Sequence, residues 1–565
     1  MSAASPASTR TWSERLLVPG LLALALLPVG YMVVRTALTF RNAAYWDEID
    51  TVLDFLLKLK ASPTGRDIFA QLFALNNEHR MVTSRLLVAA SYWMTGTVNF
   101  TVIGIIGNLF LFGVCGVLIA TAGTAVRRLQ LAVVLPFLLF QLQHFENFFW
   151  SGSSIDHFQV VTLATITFAA LNRGSAGGVA LAGTAAGLAT FTLAQGLLVW
   201  PVGALVLLHA RRWNHLKAWG ALAVVAIGCF FTGYAMNTGH AIGDFSLAGL
   251  GRVGRYWLAL LGAPVALGHA ILAPWLGAAL VVWFGTQLRS EILTRERIAL
   301  PLAAWAAGAL LLVALGRVDV VSGHVHSRYY VLSCLVWALV IYVQLNAAPD
   351  PARPRRALLR TVPLLVGFNI AANVLAASDA RSWIICRDSA LENFLRLGRD
   401  GGGPFYLHPV PEYTNTTVRA VEAAGIYRLP QLCHEVRPRD PREVGDLLYF
   451  VDRIPVTGTL VAIEGWAAIR GLESKPGQVH VVLQSEKSRH IFTTLPMERL
   501  DVSSAHPAEK WRQSGFRFQL QRWLLPAENF QIGILIQSGR GAEFSLTAHR
   551  LDLTGQGQGI LATGK

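Results

Sequence analysis

Leu16–Val34, Leu-Leu-Val-Pro-Gly-Leu-Leu-Ala-Leu-Ala-Leu-Leu-Pro-Val-Gly-Tyr-Met-Val-Val, decides the fold class. The run carries no charge, and as a helix it crosses a hydrocarbon core of roughly 30 Å. Arg10 and Arg15 precede it as they would a signal peptide. No small-x-small cleavage site follows before the next polar stretch, so it reads as a retained anchor. Outward from it, Val98–Thr121, Ala218–Met236 and Tyr329–Leu345 are runs of the same kind. Up to Ala377 the charges fall in short clusters between apolar runs, and beyond that point the chain reads like a soluble protein. At 565 residues, 53% hydrophobic and 15% charged, the chain exceeds one water-facing core. A polytopic α-helical membrane protein is expected.

The net charge of +14 raises the question of a nucleic-acid partner, and its distribution argues against one. The basic residues cluster at Arg127/Arg128, Arg173, Arg211/Arg212/Lys217, Arg289/Arg295/Arg297 and Arg353/Arg355/Arg356/Arg360. These are alternate inter-helix loops, as expected if Lys and Arg stay in the cytoplasm. With a cytoplasmic N-terminus, the first helix leads to an external loop over 39–97. Crossings follow near 98–121, 130–149, 157–172, 176–191, 193–210, 218–236, 256–287, 298–316, 329–346 and 361–377. That makes about eleven spans, with every basic cluster inside and the C-terminal part outside. Met81–Tyr92 would break the alternation as a span and reads as an interfacial helix. The stretch 256–287 reads as one long tilted helix or as a re-entrant piece plus a span.

Three regions follow: a membrane domain over 1–377, an exported linker over 378–440 and an exported β-domain over 441–565. In the last, Gly458–Ala467, Gln478–Gln484, His490–Leu495, Gly515–Leu520, Phe530–Gln537 and Glu543–Leu551 alternate with period two between turn residues. An antiparallel β-sandwich is expected. Trp466, Trp511 and Trp523 are available either to a glycan or to the sandwich core. Cys115, Cys229 and Cys334 lie in apolar runs, where a thiol acts as a small apolar residue. Cys386 and Cys433 lie in the exported part, where a disulfide between them is expected.

Chemistry points to three polar sets, all assigned to the outer side. The first loop carries Trp46-Asp47-Glu48-Ile49-Asp50 and then Asn76-Asn77-Glu78-His79-Arg80. The second carries His144, Glu146, Asn147, Trp150, Asp156, His157 and Gln159, and the third Arg317, Asp319, His324, His326, Arg328, Tyr329 and Tyr330. Ionisable groups at this depth are costly unless they line a polar site, so the sets are expected to converge on one cavity. Read blandly, the acidic residues are a solvated patch, Glu78–Arg80 caps a helix, and His144 and His157 are hydrogen-bonding core residues. His324-Val325-His326 is spaced like a metal-ligand pair and lacks further ligands.

The acidic pair Asp47-Glu48 directly after the first span resembles the signature of the multi-spanning GT-C glycosyltransferases. That superfamily includes the protein O-mannosyltransferases and the aminoarabinose and arabinofuranosyl transferases. The Asn77–Arg80 and Glu146–Trp150 strings look like those of bacterial membrane proteins placed near this group, and an exported β-domain is similar to several members. The resemblance implies a GT-C-like enzyme taking sugar from a polyprenyl-phosphate donor at the outer face of a bacterial inner membrane. The acceptor would be a glycan, lipid or protein. A lipid phosphate leaves without protonation, so one general base suffices. By carry-over Asp47 is that base, with Glu48 as second choice or positioning residue. Arg328 would meet the leaving phosphate, backed by Arg80, His324 and His326. Glu78, His79, His144, Glu146, Asp156 and Tyr329 complete the substrate-binding set, with Glu146 and Asp156 orienting sugar hydroxyls. The carboxylates would tolerate a divalent metal, although no ligand set assembles. The rival readings are a lipid-linked glycan flippase, a polysaccharide polymerase or ligase, and a β-domain merely anchored by its spans.

Overall fold

The computed structural model describes residues 12–235, 246–287, 296–318, 325–346, 353–397, 400, 406–430, 446–456, 460–522, 525–538, 541–554 and 560–562. It is mostly helical (65%). The chain divides into two compact units. One comprises Met1–Arg41, Lys58–Thr95 and Asn99–Ala380, the other Asn42–Leu57, Gly96–Val98 and Arg381–Lys565. The expected boundary after residue 377 thus lies near an observed one, but the first loop is shared between the units.

In the helical unit nearly every expected apolar run forms a helix. Short polar side chains set the starts: Asn99, Thr124, Ser175 and Ser246 each accept a hydrogen bond from the backbone N–H three residues on. Among the described residues, seven helices are long and apolar enough to cross a membrane. They are Leu17–Thr39, Phe100–Thr121, Ser151–Asn172, Trp213–Phe231, Ala299–Arg317, Ser327–Leu345 and Arg356–Glu392. The last lies within a 45-residue helix, Arg353–Leu397, which contains the unit boundary. An eighth span results if Ala125–Leu139 and Leu142–Phe149, bent by 55°, are one crossing. Ala176–Thr190, Ala194–His209 and Leu272–Gln287 are apolar but short, and a 15-residue helix reaches only about 22 Å. Among the described residues, helix length alone therefore gives seven or eight crossings and does not confirm a count of about eleven.

Two local readings are resolved. Met81–Tyr92 falls in a 14-residue helix, Val82–Thr95, too short to span. The 256–287 stretch is not one long helix: Leu247–Ala266 and Leu272–Gln287 form a hairpin that turns at Leu267 and Gly268, both at positive φ. Its arms touch through glycine, since a Cβ on Gly277 would lie 1.9 Å from the Leu258 carbonyl oxygen and one on Gly262 2.0 Å from that of Ala273. Close approach through small residues is how helices pack where lipid supplies no hydrophobic drive.

The 55° bend is stabilised by side chains. Phe140 and Gln141 leave the helical path beyond Pro136, freeing carbonyls that have no water to turn to. Asn369 Nδ2 donates to the Phe137 and Phe140 carbonyls at 2.8 and 3.2 Å, and Asn373 Oδ1 accepts from the Leu142 N–H at 3.0 Å. Two pairs of the loops that carry basic clusters also meet. Arg127 pairs with buried Glu296 at 3.1 Å, and Arg212 donates to the Leu171 carbonyl at 3.0 Å beside Arg173.

The second unit holds two antiparallel sheets. β1 (Leu447–Arg453), β2 (Leu460–Ile469), β6 (Gly515–Gln521) and β5 (Leu495–Met497) form one in that order. β4 (Arg489–Thr493), β3 (Val479–Gln484), β7 (Asn529–Ser538), β8 (Gly541–Asp552) and β9 (Ile560–Ala562) form the other. Val461, Ile463, Phe516 and Phe518 of the first share one core with Val481, Leu483, Phe492, Ile532 and Ile534 of the second. All six expected strands are present to within a few residues. β1, β5 and β9 were not anticipated: β1 reads Leu-Leu-Tyr-Phe-Val-Asp-Arg without alternation, and the other two have three residues each. Trp511 is 1% exposed and donates to the Leu472 carbonyl, so it belongs to a core; Trp466 stacks on it at 6.2 Å, half-buried. Trp523 lies outside the described residues.

Candidate functional site

Within the helical unit the polar residues of the second and third sets converge around the N-terminus of the Ser327–Leu345 helix. Glu146 Oε2 accepts from the Ser327 hydroxyl at 2.8 Å and from the Arg328 N–H at 3.0 Å. The Ser327 hydroxyl in turn accepts from the Glu146 N–H at 3.1 Å. A carboxylate here also opposes the positive end of the helix dipole. Asn147 Nδ2 donates to the Arg328 carbonyl at 2.8 Å and is itself held by the Ser153 hydroxyl at 2.6 Å. The Arg328 backbone is thereby gripped on both sides. Its guanidinium lies 5.8 Å from the Trp150 ring centroid and 5.5 Å from that of Tyr329, a cation–π arrangement. His157 and His326 flank Tyr329 at 6.0 and 6.3 Å between ring centroids.

The first set reaches the same neighbourhood through His79. Its Nδ1 accepts from the Ala194 N–H at 3.1 Å, and its Nε2 lies 3.6 Å from Glu78, which Arg317 approaches at 3.5 Å. Burial lowers the His79 pKa below the ordinary histidine value; Glu78 opposes this while Arg317 and Arg328 add to it. Burial thus favours the neutral imidazole, and the positive charge beside it comes from the arginines.

Other members of the expected set have structural partners. Arg80 donates to the Phe230 carbonyl at 2.6 Å and to those of Phe73 and Thr232, stapling helix C-termini. Asp156 accepts from the Ser84 hydroxyl at 2.5 Å. His144 is 0% exposed, with its ring 5.0 Å from Phe148 and 6.1 Å from Phe158. Among the described residues the His157 ring has no hydrogen-bond partner, and the His144 ring meets only the Leu139 backbone. His324 and Asp319 lie outside the described residues.

Asp47 and Glu48 belong to the second unit. Trp46, at positive φ, is followed by a rare π-helical turn, Ile49–Asp54. Glu48 is 1% exposed and accepts from the Tyr45 N–H at 2.9 Å. The Asp47 carbonyl accepts from Thr51 N–H at 2.8 Å and from its hydroxyl at 2.7 Å. The loop expected to be a linker packs against this turn. The Trp46 N–H donates to the Leu407 carbonyl at 2.6 Å, Trp46 meets Tyr406 at 5.9 Å, and His408 Nε2 lies 3.2 Å from Asp50. Tyr413 hydrogen-bonds Asp50 and Asp54, and burial with these two carboxylates raises its pKa far above the ordinary tyrosine value. Burial lowers the His408 pKa, but the hydrogen bond and charge of Asp50, helped by the Val410 carbonyl and by Asp47, raise it overall. Residues 406–413 were missed because nothing local ties them to a distant acidic turn; the Pro-flanked His408-Pro409-Val410-Pro411 was the available signal.

Of the expected disulfide, Cys386 is half-buried and Cys433 lies outside the described residues. Among the described residues no group of three His, Cys, Asp or Glu side chains could hold a metal ion. Searches of family models, curated proteins and solved structures find no match to the chain.

Proposed function

We propose that the protein is a glycosyltransferase of GT-C type. It transfers a sugar from a polyprenyl-phosphate donor to a glycan, lipid or protein acceptor at the outer face of a bacterial inner membrane. The observation that carries this reading is Arg328, its backbone gripped by Glu146 and Asn147 and its guanidinium stacked at the end of an apolar helix. A pre-positioned cation at the end of membrane-length helices suits the phosphate of a lipid-linked headgroup and the charge that builds on it as the sugar leaves. Asp47, beyond the first span and half-buried, is assigned as general base on the acceptor hydroxyl. The N-terminus is taken as cytoplasmic and the β-domain as exported. The count of about eleven crossings then requires the short helices to be pieces of spans or tilted pairs.

Turnover of a panel of radiolabelled polyprenyl-phosphate sugars in nanodiscs tests this, beside Asp47→Asn at equal abundance. Consumption by the wild type with a loss of about a hundredfold or more in the variant is expected. Equal consumption by both moves the base elsewhere. No consumption of any donor removes the transferase. One observation favours the flippase as a second reading: the 55° break is a discontinuous helix of the sort transporters use. Movement of an unmodified lipid-linked sugar across the bilayer would establish it.

A further inference from the structure

Residues 406–413 join the acidic turn by several contacts, and Asp400 holds their start. Asp400 is 0% exposed; its carboxylate accepts from the Leu407 N–H at 3.0 Å and the His408 N–H at 3.1 Å, while its own N–H donates to Asn415 Oδ1 at 2.6 Å. This fixes the His408 backbone independently of the turn it contacts. The His408 side chain is 13% exposed and sits 3.2 Å from Asp50. Its Nδ1 lies 3.1 Å from the Val410 N–H and 3.5 Å from the Val410 carbonyl oxygen. The ring therefore has a partner in either protonation state, accepting from the amide when neutral and donating to the carbonyl when charged.

We propose that His408, held by Asp400, is a positioning residue for the turn that carries Asp47: its imidazole grips Asp50 and fixes the backbone of the π-helical segment. The assignment of a catalytic purpose to that grip rests on the reading of Asp47 as general base; the grip itself does not. The charged and titratable groups facing the ring are Asp50 and Asp47 from the turn and Tyr413 from the Pro411–Ala423 helix, at 5.5 Å between ring centroids. Asp54 acts on it through Tyr413. The carboxylates that act on the ring are anionic, so a cation at position 408 is favoured.

Hydrogen–deuterium exchange of the full chain in nanodiscs tests the grip, read over Tyr45–Leu57 at about pH 5.5 and about pH 8.5 and corrected for the intrinsic rate. In the wild type, exchange is expected to rise roughly twofold from the lower to the higher pH as the ion pair becomes a neutral hydrogen bond. His408→Gln should exchange fast at both values and His408→Lys slowly at both. A Gln variant that exchanges like the wild type, or a Lys variant with the wild-type pH response, overturns the proposal. β3 and β7 serve as the folding control. If they lose protection in His408→Gln, Asp50→Asn is judged by the same criterion in its place. Donor turnover is a separate readout. A kcat lowered by Gln and restored by Lys at unchanged donor KM adds the catalytic purpose. A grip confirmed while no donor is consumed keeps the positioning and removes the transferase.

Discussion

Glu146 and Asp50 each receive a partner from far along the chain, yet they are held in opposite ways. Glu146 accepts from a hydroxyl and a backbone N–H at the start of a buried helix, in a reciprocal arrangement with Ser327. Asp50 is 35% exposed and meets a histidine and a tyrosine hydroxyl. The first grip is made by groups that do not titrate near neutrality and that lose heavily if left unpaired. The second includes the one side chain whose charge changes near physiological pH, and water screens it. The Arg328 layer is thus built to be stiff, and the Asp47 turn to respond to its surroundings.

The comparison breaks most readily at its stiff side. Glu146→Ala would strand the Ser327 hydroxyl and the Arg328 N–H, at an expected cost of about 3 kcal/mol. The measurement is thermal unfolding in detergent, with donor turnover falling in step. A loss below about 1 kcal/mol would mean that the carboxylate does not organise this layer. Asn369→Leu is next, at about 2 kcal/mol, because two carbonyls at the helix bend lose their donor. Its effect should be confined to stability. A smaller effect belongs to the acidic turn. The folded pKa of His408 is raised, so its stabilising contribution is fully present below the unfolded value near pH 6.5 and is lost as pH rises through the folded value. Discounted for exposure this is about 0.5 kcal/mol, read as a pH-dependent difference in unfolding between the wild type and His408→Gln. A difference that grows with rising pH would reverse the sign and refute the pairing.

Burial of the helices separates what was legible from what was not. Ser151–Asn172 has 89% of its membrane-length window buried in protein, Trp213–Phe231 only 17%. Composition marks both as apolar, because lipid and protein interiors accept the same side chains. Gly107 reveals the difference only in three dimensions: a Cβ there would lie 2.6 Å from the Ile155 nitrogen, so the central helix can be approached only by glycine. The polar sets on loops were recognised from their depth and chemistry, and His79, Glu146, Arg328 and Tyr329 do gather. Arg80 and His144 carry the same residue types and went elsewhere, one to backbone carbonyls and one into aromatic packing.

Residue order by itself determined where helices and strands run, because apolar length and period-two alternation are local properties set by the backbone's own geometry. It also led to the expectation that basic loops share one side, and two pairs of loops that carry them do meet. Tertiary structure alone decided which helices are full length, which are bent, and which distant residue satisfies each freed carbonyl. It also decided that a loop near residue 408 would close on an acidic turn near residue 50. Such pairings depend on the path of the whole chain: a buried or half-buried polar group takes whichever partner folding brings within hydrogen-bonding distance, and no local pattern records the choice.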